Sequence, residues 1–171
     1  MPFNGVIQPH IINIDDNLRL RAYDGDYLAA LPWYQNPVVY YNSEGITDIT
    51  KIPDAGYVKR MYDFFQNNGE SELYFIEVKK NDTFVPIGDV VVQEVNPPIV
   101  IGVGEYRGCG IGKKVLGAMI NRAREIGIKR FHNTMIYDYN VASQRLYESM
   151  GFRCVGKKDN EFIYEMGFCD D

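Results

Sequence analysis

Arg107, Gly108, Gly110 and Gly112, followed by Lys113 and Lys114, stand in the stretch VGEYRGCGIGKKVLGAM (Val103–Met119). These residue types at this spacing suit one kind of chemistry, the capture of an anion by bare backbone. A helix N-terminus presents unpaired N–H groups and about half a positive charge. Glycine lets the preceding chain close on a ligand, and where strand, glycine loop and helix follow in that order the usual ligand is a phosphate. Arg107, Lys113 and Lys114 add positive charge locally. Two familiar phosphate loops are excluded by spacing. G-x-x-x-x-G-K-[ST] fails because Arg107 stands where its first glycine belongs and Lys114 follows Lys113. G-x-G-x-x-G fails because its third glycine falls on Lys113 when counted from Gly108 and on Arg107 when counted from Gly102.

A second constellation lies downstream in YDYNVASQRLYESMGF. Asn140, Ser143 and Tyr147 fall at i, i+3 and i+7, offsets that share one face of a helix. Ala142, Leu146 and Met150 form a neighbouring stripe expected to face the core, which leaves the polar side for a ligand.

The elements that must position these residues follow from periodicity. From Gly112 to Ile126 the apolar residues Val115, Leu116, Met119, Ile120, Ala123 and Ile126 make a helical stripe, with Gly127 as its C-terminal cap. KRFHNTMIYDY reads as a strand, NVASQRLYESMG as a helix ended by Gly151, and FRCVGKKDNEFIYEMGF as a closing hairpin. Upstream, HIINIDDNLRLRAY reads as a hairpin or bent strand. DGDYLAALPWYQN reads as a short helix interrupted at Pro32, and PDAGYVKRMYDFFQNNGE as a second helix ended by NNG. ELYFIEVKK and FVPIGDVVVQEV are strands joined at KNDT, and PPIVIGV is the next strand. The alternation in the second half favours an α/β fold with a mixed sheet.

RGCGIG (Arg107–Gly112) matches R/Q-x-x-G-x-G/A, and the segment from Asn140 to Phe152 matches N-x-x-[AS]-x-x-x-Y-x-x-x-G-F. On these two motifs the sequence resembles the GNAT superfamily of acetyl-CoA-dependent N-acyltransferases, most strongly over residues 85–168. The opening half, with Trp33–Pro37 as a W-x-x-[ND]-P segment, is similar to the branch holding ribosomal-protein N-terminal and aminoglycoside 6′-type acetyltransferases. The resemblance implies one GNAT-like α/β domain over residues 1–171, with its coenzyme-binding core at about 85–155. It implies a mixed, mostly antiparallel sheet of six to seven strands and about four flanking helices, with PPIVIGV splayed from KRFHNTMIY.

The same resemblance implies the site. Pantetheine lies along backbone groups of Ile101, Gly102 and Val103, with the Val103 N–H as a polariser of the thioester carbonyl. The pyrophosphate sits on Gly108, Cys109, Gly110, Ile111, Gly112 and Lys113, near Arg107. Asn140 positions the pantetheine arm, with Ser143 on its face. Tyr147 is the acid that protonates the leaving thiolate, in a direct attack by an amine on acetyl-CoA within a ternary complex. An acyl-cysteine at Cys109 is not expected, because its neighbours face the pyrophosphate. The base is left open. The strand FHNTMIY has no carboxylate, and Glu94, Asp89, Glu105 and His132 each read as ordinary surface or loop residues, with a water chain as the alternative.

The acceptor is expected to be a primary amine of a small molecule or a protein N-terminus. The aromatic run around Trp33, Tyr34, Tyr40 and Tyr41, whose faces attract cations, and a net charge of −5 point to a cationic amine. The alternatives are a non-catalytic coenzyme A-binding sensor domain and an unrelated phosphate-binding α/β domain.

Composition bounds all of this. The chain has 171 residues, 46% apolar and 24% charged, with thirteen tyrosines and nine phenylalanines; this suits one globular domain. The negative charge gives no reason to expect nucleic acid, and neither a transmembrane run nor a signal peptide is apparent. Cys109, Cys154 and Cys169 lack metal spacing, no metal is expected, and a reducing cytoplasm is the natural setting. A monomer and a homodimer are both compatible with the sequence.

Overall fold

The computed structural model describes Phe3 and residues 5–168, so Cys169 lies outside the described residues. The chain runs through β1 (Ile11–Asp15), β2 (Leu18–Ala22), α1 (Leu31–Tyr34), α2 (Pro37–Glu44), α3 (Ala55–Asn67), β3 (Glu72–Lys80), β4 (Thr83–Val92) and β5 (Ile99–Ile101). It continues with α4 (Ile111–Glu125), β6 (Arg130–Tyr137), α5 (Val141–Ser149), β7 (Arg153–Lys158) and β8 (Glu161–Gly167). Two antiparallel sheets result, one in the order β1-β2-β3-β4-β5 and one in the order β6-β8-β7. The described strands number eight, against the expected six to seven, because the first segment folds as a full hairpin. α2 is a helix that the sequence reading did not assign. Its signals are Asn36, which caps the Val38 N–H, Pro37 in the first turn, and Gly45 at φ 65°.

The larger sheet is covered on both faces, which is why β3 is buried from Glu72 to Val78. Alternate residues serve opposite layers. Leu20, Tyr74, Ile76 and Val90 pack under Val115, Leu116 and Met119 of α4. Tyr23, Leu73, Phe75 and Val91 pack against Trp33, Tyr34, Val58 and Tyr62 from α1 and α3. Glu72 is fully buried and accepts from Arg122 on α4 through Nη2 at 2.7 Å and Nε at 2.9 Å, and from the Tyr74 hydroxyl. This pins α4 to the sheet. A buried carboxylate needs such partners.

Tight packing decides the glycine at the end of β5. A Cβ at Gly102 would lie 2.1 Å from Trp33 Cγ, so the end of β5 rests directly on the indole. Gly102→Ala is therefore expected to destabilise the fold by about 1–3 kcal/mol, the usual cost of overpacking. Chemical denaturation followed by Trp33 fluorescence measures it, and an unchanged midpoint would contradict this packing.

Candidate active site

The two sheets touch and then part. Val95 bridges His132 in parallel, with His132 N–H donating to Glu94 O at 3.1 Å and Asn96 N–H to His132 O at 3.0 Å. Pro97 and Pro98 follow. Neither has an N–H, so the parallel ladder cannot continue. From there β5 pairs with β4 alone, while β6 pairs with β8. The gap opens into a cavity of about 500 Å³.

Opposite layers of the fold meet in this cavity. Tyr147 and the capping residue Asn140 come from the α5 side, and Ser143 stands between them. Tyr34 and Asp89 come from the α1–α3 side, and α2 contributes Glu44 beside Tyr57. The Tyr147 hydroxyl is buried and donates to Pro97 O at 2.7 Å. Burial raises its pKa well above the ordinary phenol, which keeps it protonated at neutral pH. Asn140 is the N-cap rather than a member of the helical face; its Oδ1 accepts from Ser143 N–H at 3.2 Å, which leaves its amide NH₂ as a donor. Ala142 is exposed rather than core-facing, and the buried residue of α5 is Tyr147 itself.

The glycine loop reaches the mouth of α4. Gly108 and Gly110 have φ of +71° and +80°, and a Cβ on either would meet nothing within 4 Å. Gly110 is the N-cap and supplies no side-chain bond, so the first N–H groups of the helix have no cap from it. Gly112 has a different reason: its missing Cβ makes room for Leu146 of α5, 3.1 Å away. Lys113 is exposed, whereas Lys114 pairs with Asp15 at 2.8 Å. Cys109 and Ile111 border a second cavity, of about 390 Å³, between this loop and the turn of the β1–β2 hairpin. An open helix mouth behind two left-handed glycines fits a pyrophosphate.

Several expected contacts fall elsewhere. Gly102 N–H and Val103 N–H both donate to Ile87 O, at 2.7 and 3.2 Å, so Val103 is not a free polariser. The register of β5 on β4 instead turns the backbone groups of Ile99 and the N–H of Ile101 to the open edge, while the Ile101 carbonyl is held by Arg107. Ile99 is a residue that the sequence reading missed. Arg107 donates to the carbonyls of Ile101 at 3.0 Å and Gly102 at 3.3 Å, which holds the strand end against the loop. Trp33 is a core residue beneath Gly102. Tyr41 lies outside the cavity, stacked on Tyr139 at 4.2 Å; of Trp33, Tyr34, Tyr40 and Tyr41, the four aromatics expected near the acceptor, only Tyr34 lines the cavity.

Of the candidate bases, Glu94 and His132 pair with each other at 3.5 Å, and neither they nor the exposed Glu105 line the cavity. Asp89 does, and it is not a surface residue: it is 2% exposed. Periodicity carries a faint signal of this, since an aspartate inside a strand covered on both faces must be buried.

The fold and the site together define an α/β domain with a splayed sheet, a glycine loop at one end of the split and a cavity lined by acidic, polar and aromatic side chains in it. The Acetyltransferase (GNAT) family profile matches residues 46–152, more than half of the chain, and the chain belongs to that family. It is an acetyl-CoA-dependent N-acyltransferase. An uncharacterized acetyltransferase of Streptococcus pyogenes is 29% identical over 112 residues, covering 62% of this chain and 74% of its own. Among solved structures, the RimL ribosomal L7/L12 α-N-protein acetyltransferase in complex with coenzyme A is similar with a TM-score of 0.71 at 15% identity, over 92% of this chain and 97% of that one. Spermidine N-acetyltransferase from Vibrio cholerae, in complex with coenzyme A and spermine, is similar with a TM-score of 0.67 at 15% identity, over 88% and 94%. These two likenesses show the fold. Among the described residues no helix is long and apolar enough to cross a membrane.

Proposed function

We propose that this protein moves an acetyl group from acetyl-CoA to a primary amine of a cationic acceptor, a small molecule or a protein N-terminus, by direct attack in a ternary complex. One observation carries the acceptor class. Among the described residues, those with charged side chains that line the 500 Å³ cavity are Glu44, Asp89 and Glu161, with no Lys, Arg or His beside them. The aromatic walls Tyr34, Tyr57 and Tyr137 offer π faces to a cation. All positive charge placed for a ligand is at the loop, where the phosphates of acetyl-CoA fit, and none is where the amine enters. RimL acts on a protein N-terminus and the Vibrio enzyme on spermidine, and both acceptors present a cationic amine.

In this reading acetyl-CoA supplies an activated thioester carbonyl. Loop residues Gly108 to Lys113 hold its phosphates, the open edge of β5 at Ile99 and Ile101 receives the pantetheine amides by strand-like addition, and Asn140 and Ser143 border that arm. Tyr147 is the acid for the leaving thiolate. Its O–H donates to Pro97 O, and rotation about the phenolic C–O bond turns the proton toward the sulfur.

The test is thiol release from acetyl-CoA with cationic, neutral and anionic amines at low and high salt. Cationic amines are expected to give the highest kcat/KM, with an advantage that narrows as salt screens the carboxylates. A best acceptor of net negative charge would defeat the reading.

A further inference from the structure

We propose that Asp89 is the base that takes the proton from the incoming amine. This rests on the cavity between β5 and β6 being the acceptor site.

Asp89 sits on β4 opposite Val100 of β5, so it borders the strand that forms one lip of the gap. Its side chain belongs to the α1–α3 layer, while Tyr147 belongs to the α4–α5 layer. The two therefore enter one cavity from opposite sides, as a base for the nucleophile and an acid for the leaving group must. Carboxylates are almost never fully buried without a cation, yet among the described residues none pairs with Asp89. Its partners are the hydroxyls of Tyr34 at 2.7 Å and Tyr62 at 2.6 Å, and both donate to the same oxygen, Oδ2. The other oxygen, Oδ1, is left for the cavity that Asp89 lines. A second vacant polar group stands in that cavity: the hydroxyl of Thr134 on β6, 2% exposed and without a hydrogen-bond partner. A buried anion and an unsatisfied hydroxyl lining one cavity make a place for a polar guest, and the guest that matches the anion is an ammonium.

The proton balance closes. An ammonium N–H breaks, its electron pair stays on nitrogen and the proton goes to Asp89 Oδ1. The neutral nitrogen forms the C–N bond to the thioester carbonyl carbon and the C–S bond breaks. The thiolate takes the Tyr147 proton, the phenolate takes the surplus proton of the new amide nitrogen, and Asp89 returns its own to water. Burial lifts the Asp89 carboxyl to about 6, against the pull of both tyrosine hydroxyls, and Glu44 on α2 pushes the same way. Facing it are Tyr34 from α1, Tyr62 from α3 and Glu44 from α2; Phe75 of β3 and Val100 of β5 bring no titratable group. A base titrating just below neutrality can both accept and release a proton at pH 7.

Two measurements test this. In the first, ¹³C-carboxyl NMR of aspartate-labelled protein without ligands is followed across pH. One resonance is expected to titrate near 6, to vanish in Asp89→Asn, and to move to higher pH in Tyr62→Phe, because that variant removes a donor to the charged form. In the second, kcat/KM against pH is expected to fall below the same midpoint in the wild type. Asp89→Asn should lose about 10²–10⁴-fold and the acidic limb with it, while Tyr62→Phe should carry the limb upward. Asn preserves an acceptor for both tyrosines, so folding is expected to survive. An Asp89 that does not titrate near 6, or an Asp89→Asn enzyme within a few-fold of wild type with its acidic limb intact, overturns the assignment. A wild type that releases no thiol with any amine overturns the acetyl-transfer reading instead, and the NMR titration still reports on Asp89.

Discussion

Gly110→Asp is expected to weaken coenzyme A binding by roughly 10²–10⁴-fold while the fold survives. The loss follows from forfeiting two charge-assisted hydrogen bonds worth about 1.5–3 kcal/mol each. Gly110 caps α4 without a side chain, at φ +80°, with open space where a Cβ would go. Aspartate is among the residues that tolerate this left-handed backbone region best, at a modest cost in strain, and open space surrounds the position. Its carboxylate would set a negative charge where the pyrophosphate must lie. The substitution thus separates two roles, since it strains the loop only locally and closes the anion site. Calorimetry with coenzyme A, beside a thermal melt, reads both. Near-native affinity would remove the phosphate assignment from this loop.

Tyr147→Phe is expected to lower kcat by about 10²-fold, the low end of the range for general acid catalysis, because a thiolate is a modest base that leaves fairly well. Affinity for acetyl-CoA should change little. The hydroxyl also holds Pro97 O at 2.7 Å, so a stability loss of about 1 kcal/mol accompanies the substitution. The two effects are separable. A purely structural role would lower the melting temperature and leave kcat unchanged wherever chemistry limits the rate, and that outcome would reduce Tyr147 to a packing residue.

The loop and the Asn140–Tyr147 segment were legible because their chemistry is local. Glycines at alternate positions before an amphipathic run define an open helix mouth whatever surrounds them. Spacings of three and seven put Ser143 and Tyr147 on one side of a helix, and the structure brings Asn140, Ser143 and Tyr147 to one cavity. The splay was expected through the family resemblance, and the structure supplies its local cause in Pro97 and Pro98, whose missing N–H groups end the ladder. α2 escaped although Asn36, Pro37 and Gly45 mark its ends, because PVVYYNSE lacks a strong apolar stripe. Trp33 and Tyr41 were placed by residue type and by lying in a segment that the family resemblance sets near the acceptor. A large ring serves a core as readily as a ligand, and in this fold Trp33 supports Gly102 while Tyr41 stacks on Tyr139.

By itself, then, the order of residues determined what each short segment is: helix mouth, capped helix, broken strand, alternating strand. Those are properties of neighbours along the chain, set by backbone freedom and side-chain period. Only the tertiary structure decided which groups remain unpaired once the strands meet. The register of β5 on β4 commits the N–H groups of Gly102 and Val103 to Ile87 and exposes those of Ile99 and Ile101. The packing of α1 and α3 on β4 encloses Asp89 between two tyrosine hydroxyls, with no cation beside it among the described residues. These are contacts between residues up to 55 positions apart. The burial that lifts the Asp89 carboxyl, and the two tyrosine hydroxyls that pull against it, exist only after those distant segments have come together.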